Sequence, residues 1–314
     1  MQLLFNIVIP VFMLIGLGWF SRKVDLLKEE SATALNQYVF YIAVPPLMFL
    51  STARVDIETV LHWEFISAYL GGSLIAVICA FLGWRWLKMQ SPLDWTVIAL
   101  NAVWANTVYM GVPIFFFMFG ERGALPVVIA TLATNLLFIF ALAVMSELQS
   151  SKGNVLQKLR SLMMQALLKN PVMMAPLFGM AVSVAGITLP VALLTPLEML
   201  APTAAPVALF ALGISLYGLP VKGAGLELGW LSFIKLVVHP VAVYLMVVWV
   251  FDLEPFWAAS AILMAALPTG AMVFVLAQQY RTRVTLSSAT ILVTTLGSIL
   301  TLALLLPHLQ QWPA

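Results

Sequence analysis

Residues 101–113 read NAVWANTVYMGVP, and residues 265–274 read AALPTGAMVF. Each stretch lies inside a long apolar segment and interrupts it with a polar residue, a glycine and a proline. Proline removes a helix hydrogen bond and disfavours helix at the residue before it, so neither segment is expected to be one continuous helix. Inside a bilayer, irregular backbone is tolerated only beside protein or a water-filled cavity, so these interruptions are the predicted functional centre.

The composition places the chain in a membrane. Hydrophobic residues make up 62% of the 314 residues, charged residues only 9%, and the mean hydropathy is +1.03. A soluble domain carries about a quarter of its residues as charged side chains. The net charge of +2 gives no reason to expect nucleic acid. Cys79 is the only cysteine, which excludes an internal disulfide and a cysteine-based metal cluster, and we expect neither metal nor cofactor.

Apolar runs of spanning length recur along the whole chain. The first covers residues 3–20, and the others cover 32–50, 63–82, 94–119, 123–146, 171–187, 193–217, 230–251, 256–280 and 286–307. The predicted fold class is therefore an all-α polytopic membrane protein with about ten transmembrane helices. The interrupted stretches fall in the fourth and ninth of these runs.

Basic residues predict the orientation, because Lys and Arg are retained on the cytoplasmic side. Of the fifteen basic residues, thirteen belong to the odd-numbered connections, with Lys235 counted among them, and only Arg54 and Arg122 belong to the even ones. The odd connections, including a linker at 149–170, are expected in the cytoplasm. Both termini, near Gln2 and Gln311, are expected outside, in the periplasm if the membrane is a bacterial inner membrane.

Landmarks of the first half recur in the second at an offset of 161 or 162 residues. Pro10 with the following Val-Phe-Met resembles Pro171 with Val-Met-Met, and residues 43–49 resemble residues 204–210. The predicted repeats cover 1–148 and 171–314. Five spans in each unit leave the second unit upside down, and inverted repeats are typical of secondary transporters.

Two unwound segments of opposite direction would cross near the bilayer midplane. Half-helices that begin there aim free N–H groups and positive dipole ends at the crossing, which favours an anion as the ligand. Asn106 and Thr107 lie in the first segment, Thr269 and Gly270 in the second, and Asn135 in the fifth span could face them. The alternative is that proline and glycine only kink these helices, and that Asn135 bonds a neighbouring helix.

The strings NTVYMGVP and ALPTGAMVFVLAQQY resemble the auxin efflux carrier family, which includes plant auxin exporters and bacterial carriers assigned to malonate or malate. The resemblance covers essentially the whole chain. It implies elevator-type alternating access, with spans 3–5 and 8–10 as a transport domain and spans 1, 2, 6 and 7 as a scaffold that forms a homodimer. The family's two crossover motifs fall on Asn106, Thr107, Gly111 and Pro113, and on Pro268, Thr269 and Gly270. The plant exporters also carry an asparagine in the ninth span, which this chain lacks.

Other polar residues in the spans leave several interpretations open. Asn36 and Gln37 are expected near the cytoplasmic surface. Lys235 is expected to extend to the same surface, and His239 beside Pro240 to bond a freed carbonyl, although the two share one helical face. Glu198 is expected near the external surface, with a buried proton carrier as the alternative.

Missing motifs exclude several classes. No acidic pair occupies the middle of spans four, five, nine or ten, which disfavours a cation exchanger. No zinc-hydrolase, nucleophile-elbow or Walker-type motif is present, so neither an enzyme nor a directly ATP-driven pump is expected. The predicted function is transport of a small organic anion across the lipid bilayer. A channel and a ligand sensor with a transporter fold remain as alternatives.

Overall fold

The computed structural model describes residues 8–55, 62–83, 91–149, 164, 170–219 and 225–310. These residues are almost entirely helical, and the only β interaction among them is one isolated bridge. The predicted linker at 149–170 lies almost wholly outside the described residues, as do Gln2 and Gln311.

Apart from a short 3₁₀ turn at Gly120–Gly123, the described residues form twelve helical segments. In chain order they are α1 (Ile9–Lys23), α2 (Glu29–Ala53), α3 (Trp63–Leu82), α4 (Pro92–Val103), α5 (Thr107–Phe119), α6 (Ala124–Gln149), α7 (Pro171–Val184), α8 (Val191–Leu216), α9 (Gly225–Phe251), α10 (Pro255–Ala266), α11 (Met272–Gln279) and α12 (Val284–Gln310). The fourth predicted run is thus divided into α4 and α5, and the ninth into α10 and α11.

Within the described part of the chain, five helices are long and apolar enough to cross a membrane: α2, α3, α8, α9 and α12. Four shorter apolar helices accompany them, namely α5, the first half of α6, α7 and α10. The expectation of a polytopic, all-helical membrane protein is therefore confirmed at this level.

Three of the π turns in the described helices end two residues before a proline. The turns cover Val39–Ala43, Thr107–Gly111 and Ile234–Val238, and the prolines are Pro45, Pro113 and Pro240. A proline ring crowds the carbonyl four residues earlier and offers no N–H to it, so the preceding turn opens. Such wide turns occur frequently at functional sites.

Glycines bring two pairs of helices into close contact. A Cβ on Gly18 of α1 would lie 2.9 Å from the Phe210 carbonyl carbon of α8, and a Cβ on Gly213 would lie 2.8 Å from the Ile15 carbonyl carbon. Gly179 of α7 packs in the same way against the backbone of Phe49 on α2. Bulkier residues would force these helices apart, so α1 with α8 and α2 with α7 form close-packed pairs.

Four further helices pack against α9. Helix α9 contacts α3 along much of its length, with Gly72 against Val243, and it also contacts α4, α10 and α12. Almost every residue of α10 is buried, which makes this short helix part of the protein core. At one end of this group, Arg283 bridges Asp94 of α4 (3.2 Å) and Glu227 of α9 (3.0 Å).

Candidate functional site at the meeting of two interrupted helices

The helix interruptions lie where the sequence predicts them. Trp104 leaves α4 in extended geometry (ψ 106°), and Asn106 (φ −78°, ψ 65°) precedes the wide turn that begins α5. Leu267 ends α10 in extended geometry as well (ψ 148°), three residues before Gly270. The backbone groups of both interrupted segments are therefore free to form hydrogen bonds outside their own helices.

The two interruptions bind each other through their backbones. The Asn106 N–H donates to the Pro268 carbonyl (2.9 Å), and the Gly270 N–H donates to the Trp104 carbonyl (3.0 Å). Ala105 and Thr269 form an antiparallel bridge between these two bonds. Main-chain groups that the broken helices leave without partners are satisfied by the opposite segment, so the junction is a built element of the fold. We call residues 104–107 and 267–270 the crossing.

Thr269 and Asn101 anchor the crossing to its neighbours. The Thr269 hydroxyl donates to the Asn101 carbonyl (2.9 Å), and the Thr269 N–H donates to the Thr294 hydroxyl of α12 (3.1 Å). The Asn101 side-chain amide donates to the Ser287 hydroxyl (3.0 Å). Thr269 is fully buried, and both its hydroxyl and its N–H are hydrogen-bonded. Its role is therefore to hold the crossing together.

Asn106 differs from Thr269 in having an unused donor. Its side chain is 3% exposed, and its Nδ2 has no hydrogen-bond partner among the described residues. A buried amide without a partner costs about 1–3 kcal/mol, so natural proteins seldom retain one without a reason. Asn106 is the described side chain of the crossing that is best placed to bind a ligand.

The other predicted site residues lie at different distances from the crossing. Thr107, Gly111, Pro113, Pro268 and Gly270 are all buried in it or next to it. A Cβ on Gly270 would lie 2.7 Å from the Trp104 ring, and one on Gly111 would lie 3.1 Å from Leu267. Asn135 is half-buried on α6, a helix that packs against the wide turn of α5, but no hydrogen bond joins it to the described residues of the crossing.

A cavity of about 640 Å³ borders α5 just after its wide turn. One wall belongs to α2 and α8, and the other belongs to α5 and the start of α6. The cavity extends from Arg54, Arg122 and Glu198 to Val112, which directly follows the wide turn of α5. Arg54 pairs with Glu198, whereas Arg122 has no carboxylate partner among the described side chains. Glu198 is half exposed in this pair, so the alternative of a buried proton carrier does not apply to it.

Lys235 does not lie where the sequence places it. It is fully buried on the wide turn of α9 rather than extended to the surface, and its Nζ contacts His239 Nδ1 (3.0 Å) and the Ala265 carbonyl (2.8 Å). The sequence-based interpretation of Lys235 was therefore wrong, because helix packing encloses this face of α9. Excluding Lys235 leaves twelve basic residues in odd connections and two in even ones, and the predicted orientation does not change.

Comparison with known proteins identifies the family. Residues 3–306 match the family model described as "Membrane transport protein". The chain belongs to this family. The predicted resemblance to auxin efflux carriers is thereby confirmed, as is the expectation that the protein is a membrane transporter rather than an enzyme.

Relatives in bacteria and archaea match over nearly their full length. A Rhizobium meliloti protein named "Putative malonate transporter" is 31% identical over 302 residues, which cover 96% of this chain and 94% of the relative. An uncharacterized transporter of Escherichia coli is 23% identical and covers 93% of each chain. One from Methanothermobacter thermautotrophicus is 25% identical and covers 95% of each.

Sequence reasoning missed the polar face of α12 in this membrane transport protein. Ser287, Thr290, Thr294 and Ser298 are fully buried, and two of them bond residues 101 and 269. Their spacing of three, four and four residues follows one helical face. Hydroxyl groups repeating at that spacing within an apolar run were the signal that could have identified this face.

Proposed function

We propose that this protein is a secondary active transporter that moves a small organic anion of the mono- or dicarboxylate class across the cell membrane. The observation that carries the proposal is the crossing: two interrupted helices held together by backbone hydrogen bonds, with the unpartnered Asn106 amide buried between them. Transporters with broken helices bind substrate at such junctions.

The charge pattern around the crossing favours an anion. An amide N–H donates to a carboxylate oxygen, and the first turns of α5 and α11 direct their positive dipole ends to the same region. Arg54 and Arg122 line the adjoining cavity, while Glu198 is its one acidic residue among the described lining side chains and is already paired. A carboxylate would therefore meet positive potential before it reaches Asn106.

A three-carbon dicarboxylate is the natural first probe. The Rhizobium meliloti relative carries malonate in its name, and it matches this chain from end to end. We take malonate as the trial substrate, to be compared with acetate, malate and indole-3-acetate as representatives of other carboxylate classes.

An inverted repeat would explain the helix contacts. The two close contacts are Gly18 with Phe210 and Gly179 with Phe49. Residue 179 is 18 plus 161, and residue 210 is 49 plus 161. One contact therefore maps onto the other if the first and second five-span units are related by a two-fold axis. The crossing would lie near this axis, because residue 106 plus 162 is residue 268, its hydrogen-bond partner.

We further propose elevator-type movement, which the place of the cavity between two groups of helices supports. The wall formed by α2 and α8 would be the scaffold together with α1 and α7, and helices α3–α6 and α9–α12 would be the transport domain that carries the crossing. A homodimer formed through the scaffold would hold this wall still in the membrane while the transport domain moves.

Uptake into proteoliposomes tests the proposal. Purified protein should take up labelled malonate, or another of the four carboxylates, with saturable kinetics, and an internal load of the same compound should accelerate uptake by counterflow. Flux that rises linearly with concentration and shows no counterflow would indicate a channel. Ligand binding without uptake would indicate a sensor.

A further inference from the structure

A buried chain of polar groups reaches the last turn of α10, which leads into the crossing. The Lys235 Nζ contacts the Ala265 carbonyl (2.8 Å) in the last turn of α10, two residues before the crossing begins. It also contacts His239 Nδ1 (3.0 Å), whose Nε2 contacts the Ser73 hydroxyl (3.0 Å). The chain ends where the Ser73 hydroxyl donates to the Tyr69 carbonyl (2.8 Å) of α3.

The hydrogen-bond count fits an uncharged lysine. With Ser73 donating to Tyr69, its oxygen accepts the His239 Nε2–H, and His239 Nδ1 is then an acceptor. Lys235 faces two acceptors, Nδ1 and the Ala265 carbonyl, and a neutral amine has two N–H bonds to donate. An ammonium group would have a third N–H, and no third acceptor lies within hydrogen-bond distance of Nζ among the described residues.

Among the residues that the structure describes, no carboxylate balances a charge at Lys235. The helices packed against its turn are α3, α4, α10 and α12, together with the rest of α9. Their described acidic residues are Glu64, which is exposed on the first turn of α3, and Asp94 and Glu227, which are both paired with Arg283. The remaining titratable groups described on these elements are His239, the fully buried Tyr69 against whose ring it lies, Cys79, Tyr244 and His308.

An unpaired ammonium in this position would be costly, because charge in a membrane interior needs a counter-charge or water. A carboxylate bound at the crossing would provide one. Only Ala266 separates Ala265, the lysine's acceptor, from Leu267, where the crossing begins, so an anion there and a cation at Nζ would attract each other through a low-dielectric interior. Each charge would offset the cost of burying the other.

We propose that Lys235 is the proton-binding site of the transporter: its amine takes up a proton as the anion binds and releases it when the anion leaves. The step is Lys–NH₂ plus H⁺ giving Lys–NH₃⁺, with the proton taken from the same aqueous side as the substrate. The two charges then cross the membrane together, and an inward proton gradient drives accumulation of the anion. This inference rests on the proposed function, of which it names the coupling ion.

The first test compares two driving forces in malonate-loaded and empty proteoliposomes. Wild-type protein should accumulate malonate when the outside is made acidic, and should also exchange it by counterflow at equal pH. Lys235→Met removes the proton site at similar volume, so it should retain counterflow, although at a higher malonate concentration than wild type needs, while accumulation under the pH gradient is lost. The control Lys28→Met, in the connection between α1 and α2, should behave as wild type in both assays.

Each outcome decides between the two proposals. If Lys235→Met accumulates malonate under the pH gradient as well as wild type does, Lys235 is not the proton site. The same conclusion follows if wild-type transport ignores the gradient, although the transporter proposal then stands. If wild-type protein moves none of the tested carboxylates by either assay, the transporter proposal itself fails.

A direct measurement keeps the inference testable should Lys235→Met not fold. Malonate is added to purified wild-type protein in weakly buffered, mildly alkaline solution, where malonate is a dianion, and a pH-indicator dye records proton exchange. A proton should be taken up for each malonate bound, which makes the solution more alkaline. Binding with no change in dye signal would overturn the assignment.

Discussion

Asn106 and Lys235 are both buried polar residues, but their environments differ. The Asn106 side-chain amide has no partner among the described residues, whereas Lys235 contacts two acceptors and is enclosed on all sides. The free N–H of Asn106 can donate a hydrogen bond to a ligand, and the neutral amine of Lys235 can accept a proton. Asn106 lies in the crossing, and Lys235 bonds the Ala265 carbonyl two residues before the crossing's second segment begins, which brings an anion site and a proton site close together.

Arg122 is expected to attract the substrate rather than to hold it. It is exposed at the cavity, with its guanidinium 5.1 Å from the centre of the Phe256 ring. Arg122→Gln should lower the initial uptake rate at limiting malonate several-fold, and the difference from wild type should shrink as ionic strength rises, because salt screens exposed charges. Initial rates at low and high salt measure this effect.

Arg22→Gln is the control for Arg122. Arg22 lies at the end of α1 near Asp25, away from the cavity. Its replacement should leave the salt dependence of uptake unchanged. Equal effects of the two substitutions would mean that overall charge, and not the cavity, determines the uptake rate.

Site residues could be predicted from the sequence only where a helix interruption or a family motif marked them. Asn106, Thr107, Pro268 and Gly270 were predictable, because proline and glycine in an apolar run interrupt helices wherever they occur. The burial of Lys235 was not predictable, because the sequence of one helix does not show which other helices pack against it. Contacts such as Lys235 with Ala265 depend on packing across thirty residues of chain.

Small residues determine the packing of elements in this fold. Gly18 and Gly179 let α1 approach α8 and α7 approach α2, and the two glycines are 161 residues apart, the offset of the proposed repeat. Most helix boundaries were predictable to within a few residues from apolar runs and prolines, whereas the pairing of helices was not. Leucine-rich spans present similar apolar surfaces on every side, so the apolar pattern does not show which helices pair. The pairing depends on a few glycines, whose contacts can be seen only in the folded structure.

Gly18→Ala should destabilise the protein because its Cβ would overlap the backbone of Phe210. Overpacking costs about 1–3 kcal/mol, which corresponds to a fall in unfolding temperature of several degrees. Gly179→Ala should have a similar effect if the repeats are equivalent. The matched control is Gly16→Ala on the same helix, where a Cβ would meet nothing within 4 Å. Thermal unfolding in detergent measures all three, and equal stability of the Gly18 and Gly16 variants would contradict the packing account.

Gly270→Leu should abolish transport without preventing folding. Its side chain would displace the Trp104 ring and separate the two segments of the crossing, since even a Cβ there lies 2.7 Å from that ring. Gly229→Ala on α9, where the added Cβ is free, is the control. Uptake assays on variants that elute as single peaks in gel filtration measure the effect. Unchanged transport by Gly270→Leu would reduce the crossing to a structural kink.

The orientation of the whole molecule is a prediction from its basic residues. Asp25→Cys, in the first connection, should lie in the cytoplasm, and Thr188→Cys, in the connection between α7 and α8, should lie outside. Both variants are made with Cys79→Ser. An impermeant thiol reagent applied to intact cells should label the second site and spare the first until the cells are permeabilised. The reverse pattern would show that the molecule is inserted the other way round.

Direct binding of malonate to purified protein tests the central claim, that the crossing is the substrate site. A hydrogen bond to a charged group contributes about 1.5–3 kcal/mol, so Asn106→Ala should weaken binding by roughly tenfold or more while the protein stays folded. Asn36→Ala is the matched control, because Asn36 bonds Ser215 between α2 and α8, away from the crossing. Titration calorimetry should show lost affinity for the first variant and wild-type affinity for the second. Wild-type affinity in folded Asn106→Ala protein would contradict the account and place the substrate elsewhere.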